Sequence, residues 1–166
     1  MTVREATTAD IEAIRRVAEA SWKADYPDIL SRESLEDGFD EWYSPEQLRD
    51  SIRWTRTLLL VAEDSGDVIG FVHAVWDPDG NHGDILRLYV HPDDRGEGTG
   101  RALFEAVRDE LADTPVERLR AMVLEENDSG NAFYRHFGFE WEETEQITIG
   151  GETYSENTYV RDELSA

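Results

Sequence analysis

The sequence predicts a mixed α/β fold in which helices cover both faces of one β-sheet. Apolar runs of strand length alternate along the chain with segments that have a helical period. Turn residues separate these segments, and neither a repeat nor a low-complexity linker interrupts them. The 166 residues suffice for one domain with a substantial core, so we expect a single domain over residues 1–166. The predicted order is β-α-α-β-β-β-α-β-α-β-β.

The first third of the chain contains one predicted strand and two predicted helices. A short strand over residues 3–6 precedes a helix that starts at a capping box formed by Thr7 and Asp10. A second helix starts at the Ser-Pro pair of residues 44 and 45 and is expected to run to about Trp54. The acidic and aromatic segment 25–43 is predicted to be irregular or weakly helical.

The rest of the chain alternates strands with two helices and ends in a hairpin. Turns that contain glycine separate the strands, and each helix has apolar residues on one face. The predicted strands cover residues 58–62, 68–76, 84–90, 118–124, 140–149 and 152–160. The predicted helices cover residues 99–111 and 129–137. Gly150 and Gly151 form the two-residue loop of the last hairpin.

The chain is strongly acidic, with 38 Asp and Glu against 16 Lys and Arg and a formal net charge of −22. Nucleic acid and anionic membranes bind basic surfaces, so we expect neither as a partner. The acidic residues are spread along the whole chain instead of forming a tail. We interpret this as adaptation to the salt-rich cytosol of a halophile, where screening weakens self-repulsion. Attraction of cationic amines is the alternative interpretation.

Several classes of protein are excluded by what the sequence lacks. It has no cysteine, so we expect neither disulfides nor a Cys nucleophile nor a thiolate metal site. It has no run of about 18 apolar residues and no apolar secretion signal at its start, which predicts a cytoplasmic protein without membrane contact. The histidines lack metal-ligand spacing, and residues 77–88 lack the Gly and Glu of a calcium loop. We therefore expect no metal.

The most informative segment is a glycine-rich turn between a predicted strand and a predicted helix. Backbone N–H groups at a helix start have no internal partners, and the helix dipole favours an anion there. The turn lacks the third glycine of the dinucleotide fingerprint and the Lys-Ser or Lys-Thr of a P-loop. It predicts a different phosphate ligand, although a glycine-rich turn without a ligand would look the same. The candidate binding residues are Arg95, Gly96, Gly98, Thr99, Gly100 and Arg101.

Two motifs resemble the GCN5-related N-acetyltransferase (GNAT) family. Arg95-x-x-Gly98-x-Gly100 matches its pyrophosphate signature Q/R-x-x-G-x-G/A. The segment 127–139, with its first asparagine, aromatic pair and Gly-Phe, is similar to a second family segment. The resemblance spans about residues 55–161 and implies a three-layer α/β sandwich that uses acetyl-CoA as co-substrate. Arg95 and Arg101 would add charge to the site or balance neighbouring acids.

The resemblance also implies where the pantetheine arm of acetyl-CoA would lie. In this family the fourth strand separates from the fifth, and its free main chain pairs with pantetheine. Here this implies Leu88, Tyr89 and Val90, with an N–H near Leu88 or Tyr89 as oxyanion donor. Asn127 would bond the arm through its side-chain amide. Without the resemblance, the three strand residues are simply a core strand and Asn127 is a turn residue.

Two residues are predicted to move protons. Tyr134 matches the family tyrosine beside the CoA sulfur and would protonate the leaving thiolate. The alternative is a core aromatic whose hydroxyl contacts water. Asp84, eleven positions before Arg95, occupies an offset where some family members carry a catalytic carboxylate, and would act through a water. Its alternative role is to cap the turn at the strand start. The rival bases are His73, Asp25, Glu33 and a water held by the main chain.

Two functions remain. The first is an acetyl-CoA-dependent N-acetyltransferase in which a primary amine, on a small molecule or a protein N-terminus, attacks directly. The segment from Trp22 to Tyr43 would form the acceptor side. The second is a non-catalytic acyl-CoA-binding sensor or interaction module, which would share every CoA-site residue. The presence of Tyr134 as a candidate proton donor favours the enzyme over the binding module. The last hairpin would also allow a homodimer by exchange or packing.

Overall fold

Seven β-strands and five α-helices form the fold in the computed structural model, which describes residues 1–53, 56–77, 79 and 81–162. The strands are β1 (Thr2–Glu5), β2 (Thr57–Asp64), β3 (Asp67–Asp77), β4 (His82–Val90), β5 (Arg118–Leu124), β6 (Glu140–Ile149) and β7 (Glu152–Arg161). The helices are α1 (Ile11–Asp25), α2 (Arg32–Trp42), α3 (Pro45–Arg53), α4 (Thr99–Leu111) and α5 (Asp128–His136). The mixed α/β fold class predicted from the sequence is confirmed. No helix in these described ranges is long and apolar enough to span a membrane.

Helix α2 lies in the segment that was predicted to be irregular or weakly helical. Ser31 caps its start, because the Ser34 N–H donates to the Ser31 Oγ at 3.1 Å. Its apolar face carries Phe39 and Trp42, whose rings pack edge-on against Trp22 of α1. The many acids of this segment obscured that face in the sequence. Helix α3 starts as predicted, whereas the predicted end at Trp54 lies outside the described residues.

The strands form one sheet in the order β1-β2-β3-β4-β5-β7-β6. The only parallel neighbours among the described strands are β4 and β5, and they pair only between residues 82–85 and 118–121. Beyond Ala121, β5 continues to pair with β7 on its other side. The register of β4 with β3 also shifts between His73 and Ala74, beside the last β4–β5 pair. The sheet therefore opens between the C-terminal halves of β4 and β5.

Two apolar cores lie on opposite faces of the sheet. Helices α4 and α5 cover one face, where Leu103 is fully buried. Helices α1, α2 and α3 cover the other face, where Trp22 and Leu48 are buried. Neighbouring strand residues alternate between the cores, with Leu60 in the first and Val61 in the second. Side chains of both helix layers can consequently reach the gap between β4 and β5.

Candidate active site

A cavity of about 420 Å³ lies where β4 and β5 separate. Its walls come from β4, the turn before α4, the ends of β5 and β6, the middle of β7, and helices α1, α2, α4 and α5. Most of the predicted site residues meet there. They are Leu88, Tyr89, Val90, Arg95, Gly96, Gly98, Thr99, Gly100, Arg101, Asn127 and Tyr134. Asp84 is absent from the cavity wall.

The glycine turn presents unpaired main-chain donors to this cavity. Gly98 is the N-cap of α4 and has a φ of 86°, a left-handed conformation that side chains disfavour. The first intrahelical bond of α4 runs from the Ala102 N–H to the Gly98 carbonyl at 3.0 Å. The N–H groups of residues 99–101 precede it and lack intrahelical partners. The turn can therefore hold an anion with its amides.

The start of α4 differs in charge from the other helix starts. Helices α1, α2, α3 and α5 each have an acidic residue in the first turn, as the helix dipole favours. Helix α4 has none in its first turn, although the chain contains 38 acidic residues. The first turn of α4 therefore has no acidic side chain of its own that would compete with a bound anion.

The two arginines of the turn balance neighbouring acids. Arg95 donates to the Asp25 carboxylate of α1 through both terminal guanidinium nitrogens, each at 2.8 Å. Its Nε also donates to the Val90 carbonyl at 3.2 Å. Arg101 pairs with Glu105 of the same helix at 3.3 Å. In this state the side chain of Arg95 ties the turn to α1, and the amides remain the accessible donors.

After Ile85, the main chain of β4 has no partner on its β5 side among the strands that the structure describes. The Val90 carbonyl already accepts from Ser21 at 3.3 Å and from Arg95. The side chain of Tyr89 points to the α1–α3 core, where its hydroxyl bonds Trp22. The free edge near Leu88 and Tyr89 can therefore pair with an extended ligand, as an added strand would.

Tyr134 of α5 lines the same cavity while its side chain is 95% buried. Its ring packs against Phe133, Phe139 and Tyr159. Burial raises the pKa of its hydroxyl well above the usual value, and Tyr89 adds to that rise. The phenol consequently keeps its proton across the working pH range, as a proton donor requires.

Asn127 and Asn131 have different roles. The Asn127 Oδ1 caps α5 by accepting from the Gly130 N–H at 3.1 Å, so only its amide NH₂ is left for a ligand. Asn131, which was not among the predicted site residues, is buried, and both polar atoms of its side chain have hydrogen-bond partners. Its Nδ2 donates to the carbonyls of Leu124 and residue 127, and its Oδ1 accepts from Asn157 and Tyr159. It ties α5 to β5 and β7.

The structure does not bring Asp84 to the site. Its carboxylate contacts the His82 Nδ1 at 3.0 Å and lies 3.8 Å from the Arg120 Nε. The reason is its position in the strand: Asp84 lies opposite Arg120 in the paired part of β4, before the strands separate. The geometry therefore gives no support to its predicted role as general base.

The three rival side chains named from the sequence are also disfavoured as bases. Burial and the Arg87 guanidinium lower the pKa of His73 to about 3, and its Nδ1 accepts from Arg87 at 3.1 Å. Asp25 lines the cavity but is bound to Arg95. Glu33 is exposed and is not part of the cavity wall. A different carboxylate, Glu156 of β7, does line the cavity.

The low pKa of His73 predicts how stability depends on pH. The unfolded chain takes up a proton at this residue near pH 6.5, whereas folded His73 stays neutral down to about pH 3. Protons therefore favour the unfolded state between these values. We expect this residue to lower the free energy of unfolding by up to about 1.4 kcal/mol per pH unit as pH falls below 6.5.

Denaturant unfolding at pH 7 and pH 5 measures this effect. In His73→Gln the loss of stability between the two pH values should be smaller than in the wild type. The exposed His136 provides the control, because His136→Gln should keep the wild-type pH dependence. Equal pH dependence in His73→Gln and the wild type would contradict the assignment of a neutral, buried imidazole.

Comparison with known proteins decides the family. The family model described as "Acetyltransferase (GNAT) family" matches residues 15–139. The chain belongs to the GNAT family of acetyltransferases. The match begins before residue 55, so the family likeness reaches further towards the N-terminus than the motifs indicated.

Named relatives of this GNAT protein agree with that assignment. The spermidine N(1)-acetyltransferase of Thermoplasma acidophilum is 29% identical, over 86% of this chain and 90% of the relative. An acetyltransferase of Yersinia enterocolitica is 34% identical, over 62% of this chain and 72% of the relative. The solved PaiA N-acetyltransferase from Thermoplasma acidophilum in complex with coenzyme A has a TM-score of 0.81 and 28% identity. It covers 95% of this chain and 98% of the relative.

Proposed function

We propose that this protein is an N-acetyltransferase that moves an acetyl group from acetyl-CoA to a primary amine by direct attack, within one domain over residues 1–166. The observation that supports the proposal most strongly is that one cavity brings together three features. It is lined by the amides of the glycine turn, the free edge of β4 and Tyr134 with its hydroxyl. The coenzyme A complex of a relative with a TM-score of 0.81 supports the same ligand.

Each part of the cavity has a role in this proposal. The N–H groups of residues 98–101 hold the pyrophosphate, and the dipole of α4 adds to their attraction. The free edge of β4 and the Asn127 amide hold the pantetheine arm in an extended form. An N–H near Leu88 or Tyr89 donates to the thioester oxygen, where negative charge develops during attack. Tyr134 gives its proton to the departing sulfur.

The acceptor in this proposal is a cationic primary amine on a small molecule or a peptide N-terminus. One carboxylate of the cavity wall, that of Glu156 on β7, can pair with such a cation. It lies opposite Glu145 of β6, which is not part of the wall. The similarity to a spermidine acetyltransferase supports a small aliphatic amine. The aromatic side chains of Tyr26 and Trp42 form the α1–α2 side of the cavity, where an aliphatic chain can pack.

The proposal is tested by thiol release from acetyl-CoA in molar KCl. The panel contains spermidine, a monoamine, an amino acid and a peptide with a free N-terminus. We expect thiol release with at least one amine and none without an amine. Coenzyme A binding without release for any member of the panel would instead identify the non-catalytic acyl-CoA-binding module.

We also propose that the acidity reflects a salt-rich cytoplasm. Strand β6 carries exposed carboxylates at 140, 142, 143 and 145, and Glu145 and Glu142 raise the pKa of Glu143. Molar KCl screens the repulsion between these carboxylates. We therefore expect the melting temperature to rise as KCl is added. Thermal unfolding in 0.1 M and 2 M KCl measures it. A melting temperature that is unchanged or lower at 2 M would contradict the proposal.

A further inference from the structure

Glu156 lies in β7 directly beside the opening of the sheet. It pairs with Leu124, the last residue of β5, where β4 has already moved away. The next residue, Asn157, points to the α5 face, where it bonds Asn131 at 2.8 Å. Because side chains alternate along a strand, Glu156 points to the opposite face. Glu156 and Tyr134 therefore line one cavity from opposite sides of the sheet.

The carboxylate of Glu156 is half-buried and has no hydrogen bond or ion pair with any residue in the described ranges. Burial raises its pKa, the Glu145 carboxylate across the strand pair raises it further, and Arg87 of β4 offsets part of the rise. On the β5 side its neighbour Leu124 is apolar, and Tyr154 and Thr158 flank it on its own strand. This environment therefore favours either protonation of the Glu156 carboxylate or its pairing with a cation.

We propose that Glu156 receives the ammonium group of the acceptor and takes its proton, as the general base of the transferase. This inference rests on the proposed function and identifies a catalytic carboxylate for it. A primary amine is protonated near neutral pH and cannot attack until it loses a proton. A carboxylate with a raised proton affinity in the cavity wall both pairs with the cation and accepts that proton.

The proton balance of the step is complete. Glu156 takes one proton from R–NH₃⁺, and the nitrogen lone pair forms the bond to the acetyl carbon. The carbon–sulfur bond breaks, and its electron pair stays on sulfur. Tyr134 protonates the sulfur and regains a proton from the second N–H that the nitrogen loses, relayed by water. Glu156 then releases its proton to solvent, so that one amide, one thiol and one H⁺ leave for each R–NH₃⁺ and thioester consumed.

Glu156→Gln tests the proposal because it keeps the shape of the side chain and removes the base. We expect kcat/KM for the best amine of the panel to fall about 100-fold at pH 7, with the Kd of coenzyme A unchanged. The melting temperature should not fall, because a carboxylate with a raised pKa does not stabilise the fold at pH 7. The matched control is Glu140→Gln, an exposed position in β6 outside the cavity, which should retain wild-type kinetics.

Glu145→Gln gives an independent readout through the pH profile. It removes the like charge opposite Glu156, so the acidic limb of kcat/KM should move to lower pH while the activity remains. A Glu156→Gln rate within threefold of the wild type, or an acidic limb that does not move in Glu145→Gln, would overturn the assignment. If the wild type is active, either of these two outcomes removes only the role of Glu156 and leaves the proposed function intact. A wild type that is inactive with every amine overturns both.

Discussion

Replacing Tyr134 with phenylalanine is expected to slow acetyl transfer about 100-fold while leaving coenzyme A binding unchanged. The hydroxyl is the only part of the side chain that is removed, so the packing of the ring on Phe139 and Tyr159 persists. A tyrosine phenol is protonated at neutral pH, and the raised pKa of Tyr134 does not change this, so a proton is available for the leaving sulfur. Without that donor the thiolate must leave unprotonated.

Single-turnover kinetics measure this prediction, because they separate the chemical step from product release. Tyr154→Phe is the matched control, since Tyr154 lies outside the cavity wall and its hydroxyl donates to Glu152. That variant should transfer acetyl at the wild-type rate. A wild-type single-turnover rate in Tyr134→Phe would remove the tyrosine from the proton pathway and leave it as a packing residue.

Replacing Gly98 with valine is expected to weaken coenzyme A binding at least about 100-fold, which corresponds to about 2.7 kcal/mol. Two effects combine. The φ of 86° is strained for a β-branched residue. Gly98 lines the cavity and a Cβ there would have no neighbour within 4 Å, so we expect the new side chain to compete with an anion for the N–H groups at the helix start. Arg95→Ala should weaken binding less than tenfold, because Asp25 already holds that guanidinium.

Gly66→Val separates strain from ligand binding. Gly66 has a φ of 87° and open surroundings, as Gly98 has, but it lies in the β2–β3 turn. Both variants should lose a similar amount of thermal stability, and only Gly98→Val should lose affinity in calorimetric titration. A larger loss of affinity in Arg95→Ala than in Gly98→Val would show that the arginine side chain holds the phosphate, and not the main chain.

Local signals in the sequence were enough to predict the elements that hold the cavity together. The structure confirms the bounds of α4 at 99–111 and of β5 at 118–124, and the loop of the last hairpin at Gly150 and Gly151. Helix α4 and strand β5 have clear apolar periods, whereas the glycine loop marks the hairpin. Helix α2 was predicted only as an irregular or weakly helical segment, because its apolar residues lie among acids. Its stability comes from packing on Trp22, a contact between segments that no local pattern contains.

The carboxylates show why the proton acceptor could not be predicted. Asp84 had the expected spacing from Arg95, but spacing along the chain does not reveal where β4 and β5 separate. Glu156 is one of 38 acidic residues. It lies in a hairpin that could be recognised in the sequence only by its glycine loop. Only the pairing of β7 with β5 places it at the cavity. Asn131 was missed in the same way, because its partners are carbonyls and side chains of three other segments.

In the proposed function, the turn before α4 holds the pyrophosphate of coenzyme A with its own amides, beside the gap between two strands. A crystal structure of the complex, grown from protein in molar KCl, would show this contact. We expect pyrophosphate oxygens within hydrogen-bonding distance of the N–H groups of residues 98–101 and the sulfur in the cavity beside Tyr134. Coenzyme A bound elsewhere, or absent from crystals soaked at millimolar concentration, would contradict it.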